Sequence, residues 1–467
     1  MIDGKDVHTE HKFDIVSPAT DDLLWHVSGA TKPEALQAVA AAETAFKKWR
    51  KSKPEARRKI FFKAADLIDS RREELEGYMA AETGAASSWT GFIVPLTANF
   101  LRDIAGRIGT IEGSIPEAEE EGKSALIYKE PYGVILAIAP WNAPYILGVR
   151  SVAYALATGN TCILKGSELS PRCMWAIGSV FKEAGLPAGC LNVIYHRPTD
   201  APEVTTALVE HAAVRKVNFT GSTAVGSIIA SLAGKHVKPV LMELGGKAST
   251  VVLADADLKK AAEACVIGAF LHAGQVCMSC ERVVVDASIA DAFAAELTAA
   301  LDRVFDPAKP APVMVSRTAV KKTRTLVDQA LAKGAHALNS LPEELGAGGA
   351  RMRPTIVDGV TPDMDLYYTE SFGPSVSLIR VNGDDEAIAV ANDTDYGLTA
   401  AVFTQDLRRG LRVARQIESG AVHINGMTLH DEARLPHGGV KKSGFGRFNG
   451  NYGFEEFLKT KTVTFDD

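Results

Sequence analysis

The sequence predicts an α/β fold in two successive parts with a small β appendage. Three observations carry this. From Val134 onward, short apolar runs alternate with segments of helical periodicity, the pattern of a mostly parallel sheet with helices on both faces. At Leu244-Gly245-Gly246 the character changes, and a second alternation of the same kind begins. Two further segments, 125–129 and 459–465, alternate polar and apolar residues outside either series, as edge strands do.

In chain order, residues 12–27 form an extended lead-in with turn chemistry at Ser17-Pro18-Ala19. Across 32–82, Ala35, Ala38, Ala42 and Phe46 keep a helical spacing, and so do Ile60, Ala64, Leu67 and Ile68. Trp49 lies between these two helices as core. Residues 86–112 form another helix, ending near Gly109. A charged stretch follows at 117–123, then the 125–129 strand, a turn at Pro131-Tyr132-Gly133 and a buried strand at 134–139. The first alternation continues with helix 142–156, strand 161–164, helix 171–184, strand 191–194, helix 202–210, strand 215–219 and helix 226–233. Pro171 suits a first helical turn. The second comprises strand 249–253, helix 257–271, strand 281–286, helices 288–304 and 319–333, and strands near 376–381 and 400–403. Residues 343–350 form a loop.

The 467 residues give ample length for large cores. A net charge of −6 argues against a general nucleic-acid binder. No apolar run approaches the ~20 residues of a membrane span, so no membrane partner is expected. The first ten residues carry no apolar signal core, so no export signal is expected. Six scattered cysteines form no disulfide framework and fit a reducing compartment, which predicts a cytoplasmic protein.

The chemistry centres on GQVCMSCER, residues 274–282. Cys277 follows a Gly-Gln pair and runs into an apolar strand, a setting for a nucleophile with open access and nearby backbone N–H groups. Asn142 lies in APWNAP at a strand end, as a rigid amide donor to an oxyanion or, equally, as a helix N-cap. Glu243 ends an apolar strand beside two glycines. Apolar neighbours favour its protonated form and suit a general base; the alternative is a buried pair with Lys247. Lys165 and Glu168 follow a strand end, where nucleotides bind in open α/β sheets. A carboxylate there repels a 2′-phosphate, which favours NAD over NADP. Gly221, Ser222 and Gly226 belong to GSTAVG, between a strand and a helix, where glycines let the backbone approach a pyrophosphate. A plain strand-to-helix turn would look the same. Cys277 and Cys280 make a Cys-x-x-Cys without a second metal-ligand pair, so no metal is expected. A dithiol switch between them is a separate idea.

Together these segments resemble the aldehyde dehydrogenase superfamily. PWNAP, LKGSE, FTGSTAVG, MELGGK, GQVC, ESFGP and PHGGVKKSGFGR stand in the family's order over nearly the whole chain. NAPYILGVRS, KGSELSPR and GQVCMSCER are most similar to the salicylaldehyde, vanillin and benzaldehyde dehydrogenase branch. The chain departs from that branch at His272-Ala273, where Asn and Gln are usual, and at Cys280, where Thr is more typical.

The resemblance implies the aldehyde dehydrogenase fold. A Rossmann-like cofactor domain spans 1–115 and 132–245, a catalytic domain 246–447, and a β oligomerisation element 116–131 and 448–467, assembling dimers or tetramers. It implies Cys277 as nucleophile, Asn142 and the Cys277 N–H as oxyanion donors, and Glu243 as the base for water. Trp141, Lys165, Glu168, Gly221, Ser222, Gly226, Glu370 and Phe372 fall to the NAD site. Relatives that use CoA commonly lack the glutamate, so a free acid product is expected.

For the substrate, Arg150 lies eight residues after Asn142, about two helical turns along the same face. It is a candidate to line the entrance and meet a polar ring substituent; pairing with a neighbouring acid is the alternative. A small Ala143 leaves room for a ring, and Trp89 and Phe92 are pocket walls or helix core. The leading expectation is an aromatic aldehyde. An aliphatic aldehyde or semialdehyde remains open, as does a non-catalytic scaffold, although the latter would have no need to retain Cys277, Glu243 and Asn142.

Overall fold

The computed structural model describes residues 1–306, 308–339 and 349–467. Its first sheet has six strands in the order Gly444–Phe445, Val240–Glu243, Val214–Thr220, Val134–Ile138, Thr161–Lys165, Leu191–Ile194. All pair in parallel except Gly444–Phe445, which runs antiparallel to Val240–Glu243. Both faces are buried, as the continuous apolar run of Val134–Ile138 requires. Ile135 and Ala137 pack one way, against helices Pro54–Ser70, Ser87–Arg107, Pro144–Ala157 and Pro171–Glu183. Val134, Leu136 and Ile138 pack the other way, against Lys32–Trp49, Ala201–Glu210 and Thr223–Lys235.

The strand order reverses beside Val134–Ile138. The chain steps outward to Thr161–Lys165 and Leu191–Ile194, then returns to the opposite side with Val214–Thr220. The crevice at the carboxyl ends of such a pair is where open α/β sheets bind ligands. Here those ends deliver Trp141 and Asn142 from one strand, and Gly221 and Ser222 from the other.

The second sheet has seven strands, ordered His336–Ala337, Thr355–Asp358, Ser375–Val381, Cys280–Asp286, Ala248–Val252, Thr399–Phe403, Ala421–Ile424. It is parallel apart from the His336–Ala337 edge. Helices Leu258–Phe270 and Ala290–Val304 cover one face; Arg317–Ala332, Gly383–Asn392 and Leu407–Ala414 cover the other. The third element is a two-stranded antiparallel ribbon, in which Leu458–Asp466 pairs with Lys123–Pro131 of the same chain.

Several expectations shift. The lead-in is a hairpin of Lys12–Val16 and Leu23–Ser28. The 32–82 region holds three helices, because Pro54 starts the second and the chain breaks at Arg71 before Arg72–Thr83. The helix after Asn142 begins at Pro144 with Ala143 as its N-cap, so the N-cap alternative for Asn142 is set aside. The short Gly450–Glu456 helix, grouped by sequence with the C-terminal strand, instead packs on the first domain, with Phe454 edge-on to Tyr154 at 5.2 Å. Of the 343–350 loop, all but the last two residues lie outside the described residues. Among the described residues, no helix is long and apolar enough to cross a membrane.

Candidate active site

Cys277 is the one cysteine of the six that is not fully buried. It sits between the Leu258–Phe270 helix and the Cys280–Asp286 strand, after three consecutive left-handed residues: His272 at φ 51°, Ala273 at φ 55° and Gly274 at φ 71°. Two of these are not glycine, and such strain costs about 1–3 kcal/mol each unless neighbours over-determine it. They do. His272 stacks on Trp89 at 5.2 Å and 9°, and its backbone carbonyl accepts from the buried Gln275 amide at 3.1 Å. The Gln275 side-chain oxygen in turn accepts from the Val315 N–H at 2.8 Å. Gly274 must be glycine, since a Cβ there would lie 2.2 Å from the Gly373 carbonyl oxygen. Gly246 has a similar duty, as its Cβ would meet the Cys277 carbonyl oxygen at 2.3 Å.

Glu243 and Asn142 lie in the same cleft as Cys277. Glu243 ends the Val240–Glu243 strand, 1% exposed, with no hydrogen-bond partner among the described residues for either carboxyl oxygen. It does not pair with Lys247, whose ammonium binds Glu281 at 2.6 Å. Burial, then the adjacent Glu243 and Glu370, push the Cys277 thiol well above the ordinary range, with Arg150 opposing them. This favours the protonated thiol in the resting site. Asn142 is buried and donates one amide N–H to the Gln275 carbonyl at 2.9 Å, while its own backbone carbonyl accepts from the Trp89 indole at 3.1 Å. The side chain is thereby fixed, with its second N–H available.

These residues line one cleft of about 400 Å³ between the two sheets. Trp141, Asn142, Lys165, Glu168, Gly221, Ser222, Glu243, Cys277, Glu370 and Phe372 all border it. At the far end, burial pulls the Lys165 ammonium below its ordinary range, opposed by Glu168. Ser222 caps Thr223–Lys235 by accepting from the Val225 N–H at 3.4 Å. A Cβ on Gly221 would strike the Phe219 ring at 2.6 Å. Glu370 accepts from the Gly246 N–H at 2.8 Å, and burial still pushes its carboxyl up to about 7. Phe372 has φ 50° and meets Trp141 edge-on at 5.9 Å.

Other candidates are placed elsewhere. Gly226 does not border the cleft; it lets its helix approach Leu244, since a Cβ would come within 2.4 Å of that side chain. Ala143 is buried at the head of its helix. Arg150 does not line the cleft either. It is 1% exposed, paired with Asp431 and set over the rings of Phe100 and Phe448 at 5.1 and 6.0 Å. The alternative, an arginine paired with an acid, is the one found. Trp89 is core that also braces the site, whereas Phe92 is 46% exposed. Cys280 does not border the cleft that Cys277 borders; its sulfur lies 3.2 Å from the Thr250 hydroxyl, beside the buried Cys265. A Cys277–Cys280 switch is dropped on that geometry.

Four residues that matter here went unnoticed in the sequence. Glu281 accepts from Lys247, from the N–H and hydroxyl of Ser371, and from the Phe372 N–H, so it holds the loop carrying Glu370 and Phe372. Lys322 borders the cleft and donates to the Glu370 carbonyl at 3.0 Å. His437 lies against Glu243, with Nε2 3.6 Å from Oε1. Gln275 was seen only as part of a motif. A charged pair, Glu281-Arg282, opening an apolar strand was the one signal available.

The aldehyde dehydrogenase family model matches residues 6–463. A vanillin dehydrogenase of Pseudomonas fluorescens is 45% identical over 458 residues, covering 97% of this chain and 94% of that protein. The crystal structure of a salicylaldehyde dehydrogenase from Pseudomonas putida G7, complexed with salicylaldehyde, superposes with a TM-score of 0.95 at 40% identity, covering 100% of this chain and 97% of that one. A betaine aldehyde dehydrogenase from Staphylococcus aureus in complex with NAD+ gives 0.94 at 31% identity, covering 100% and 94%. Similarity over the whole length, the shared fold and the convergence of Cys277, Glu243 and Asn142 lead to one conclusion: this chain belongs to the aldehyde dehydrogenase family.

Proposed function

We propose that the protein oxidises an aromatic aldehyde to the free carboxylic acid, with NAD as hydride acceptor. The observation that carries this reading is the single cleft with Cys277, Glu243 and Asn142 at one end and Lys165, Glu168, Gly221 and Ser222 at the other. The aromatic preference is supported by the vanillin and salicylaldehyde dehydrogenases that the chain resembles along its full length.

The donor set suits a nicotinamide dinucleotide. Lys165 and Glu168 are positioned for ribose hydroxyls. The helix N-terminus at Gly221 and Ser222 offers amides and a glycine without a Cβ for the pyrophosphate. Glu370 and Phe372 take the nicotinamide riboside end. The Glu168 carboxylate disfavours a 2′-phosphate, which selects NAD over NADP.

In the reaction, the Cys277 thiol passes its proton to solvent water in the cleft and its sulfur attacks the aldehyde carbon. The free Asn142 N–H and the Cys277 backbone N–H stabilise the oxyanion. The bound cofactor supplies a hydride acceptor, leaving a thioester on Cys277. Glu243 then takes a proton from water, whose oxygen attacks the thioester carbon. The C–S bond breaks, and the acid and the Cys277 thiolate separate. Unpaired cysteines throughout suit a cytoplasmic enzyme, and the exposed ribbon suits a homodimer or homotetramer.

The test is NADH formation by the purified protein with benzaldehyde, salicylaldehyde, vanillin, a medium aliphatic aldehyde and succinate semialdehyde, repeated with Cys277→Ala. The expected result is strong aromatic turnover that the substitution abolishes. A preference for the aliphatic aldehyde or the semialdehyde would overturn the substrate assignment, and CoA-dependent turnover would overturn the free-acid product.

A further inference from the structure

Beside Glu243 lies a buried polar cluster that the mechanism above does not use. His437 is 8% exposed and Glu243 1%, and their facing atoms, Nε2 and Oε1, stand 3.6 Å apart. Neither atom has a hydrogen-bond partner among the described residues. Facing buried groups left unsatisfied cost free energy, so a core histidine kept only for packing has no reason to be aimed at a carboxylate. The aim is held by the backbone: the His437 N–H donates to the Phe448 carbonyl at 3.0 Å, and the Phe448 N–H returns the bond at 2.8 Å.

Asp431 completes the cluster. It pairs with Arg150 and accepts from the Asn449 amide at 2.9 Å. Burial works against its ionisation, but the charge of Arg150 outweighs it, with hydrogen bonds from Arg150 and Asn449 and any charge on His437 adding to the effect, and the carboxyl titrates below its ordinary value. Asp431 is therefore a fixed anion close enough to His437 to interact with its charge.

We propose that His437 is a positioning residue for the deacylation step, which takes from Glu243 the proton that Glu243 removes from water, with Asp431 as its counter-charge. This rests on the assignment of Glu243 as the base. As the water oxygen bonds to the thioester carbon, one water proton goes to the Glu243 carboxylate. The tetrahedral oxyanion collapses, the C–S electron pair returns to Cys277 as thiolate, and the acid keeps the second water proton. The Glu243 proton passes to Nε2 of His437, making an imidazolium opposite the Asp431 carboxylate. Glu243 is again ionised while the product leaves, and the imidazolium later loses its proton to solvent.

Acylation does not need this transfer, and that separates the role from a structural one. The experiment is rapid-mixing NADH formation with NAD and benzaldehyde, with intact mass spectrometry of acid-quenched enzyme, on wild type, His437→Gln and His437→Asn. Neither replacement accepts a proton. Each is expected to give an NADH burst of about one equivalent per site at the wild-type burst rate. A steady state about 10–100-fold slower should follow, at the low end of or below the range for direct general-base loss. The benzoyl adduct on Cys277 should accumulate. A steady state within twofold of wild type in a folded variant, or a burst rate that falls together with it, overturns the proposal. Glu243→Gln is the control for the underlying assignment. If it turns over normally, Glu243 is not the base and that reading fails first; if it traps the adduct while both His437 variants do not, only the role of His437 fails.

Discussion

Arg150 is a permanently charged side chain held at 1% exposure, with Asp431 as counter-ion and aromatic rings on two sides. Removing one partner of such a pair leaves the other charge buried and uncompensated, which costs about 3–5 kcal/mol. Arg150→Ala is expected to lower unfolding free energy by that amount in urea denaturation; a loss below about 1 kcal/mol would mean that Asp431 has another route to stabilisation. The substitution should also slow benzaldehyde and salicylaldehyde turnover alike, because Arg150 does not border the cleft. The spacing rule that placed Arg150 two turns beyond Asn142 was sound, but its inference failed. Every residue of Pro144–Ala157 is buried, so sharing a face with Asn142 does not put a side chain at the substrate. Its partner is 281 residues away, beyond any local pattern. Cys277, Glu243 and Asn142 were legible because each sits at an element end among glycines or prolines, where chemistry leaves a mark on composition.

Elements matter through their ends. The loop bearing Glu370 and Phe372 contributes two cleft residues, yet Phe372 holds a left-handed φ that a bulky side chain disfavours. Glu281 retains that loop with three hydrogen-bond donors from Ser371 and Phe372, and Lys247 neutralises Glu281. Glu281→Gln keeps the shape but leaves the Lys247 ammonium without its counter-charge and weakens the hold on the loop. The expected outcome is at least a tenfold rise in the dissociation constant for NAD, about 1.4 kcal/mol, followed by tryptophan fluorescence through Trp141 beside Phe372. Unchanged NAD affinity would show that the loop keeps its place without Glu281. The alternation of strands and helices was legible from period alone. The run of left-handed residues at His272 and Ala273 was not, because neither residue type announces positive φ and only Gly274 did. The strands Thr355–Asp358 and Ala421–Ile424 also escaped.

At the scale of the whole molecule, two sheets supply the cleft and the ribbon stands apart from both. The sequence grouped the two ribbon segments, but it did not show that they pair with each other across nine residues of register. Nor did it show that the two-residue strand Gly444–Phe445 returns to the first sheet before the chain reaches the ribbon, since two residues carry no period. A two-stranded ribbon alone is marginal in water. This one also exposes Tyr128, Val463 and Phe465, and among the described residues no strand lies along the outer edge of Leu458–Asp466, which invites another strand. A second copy of the chain would satisfy both the apolar side chains and the edge. Truncation after Leu458 removes one strand and leaves the other without its register partner, while every residue bordering the cleft remains. The truncated protein is expected to show a smaller assembly than wild type by light scattering at equal concentration, with NAD still binding. An unchanged mass would place the subunit contact elsewhere on the surface. A smaller mass with NAD binding intact would assign the ribbon to assembly and the cleft to chemistry.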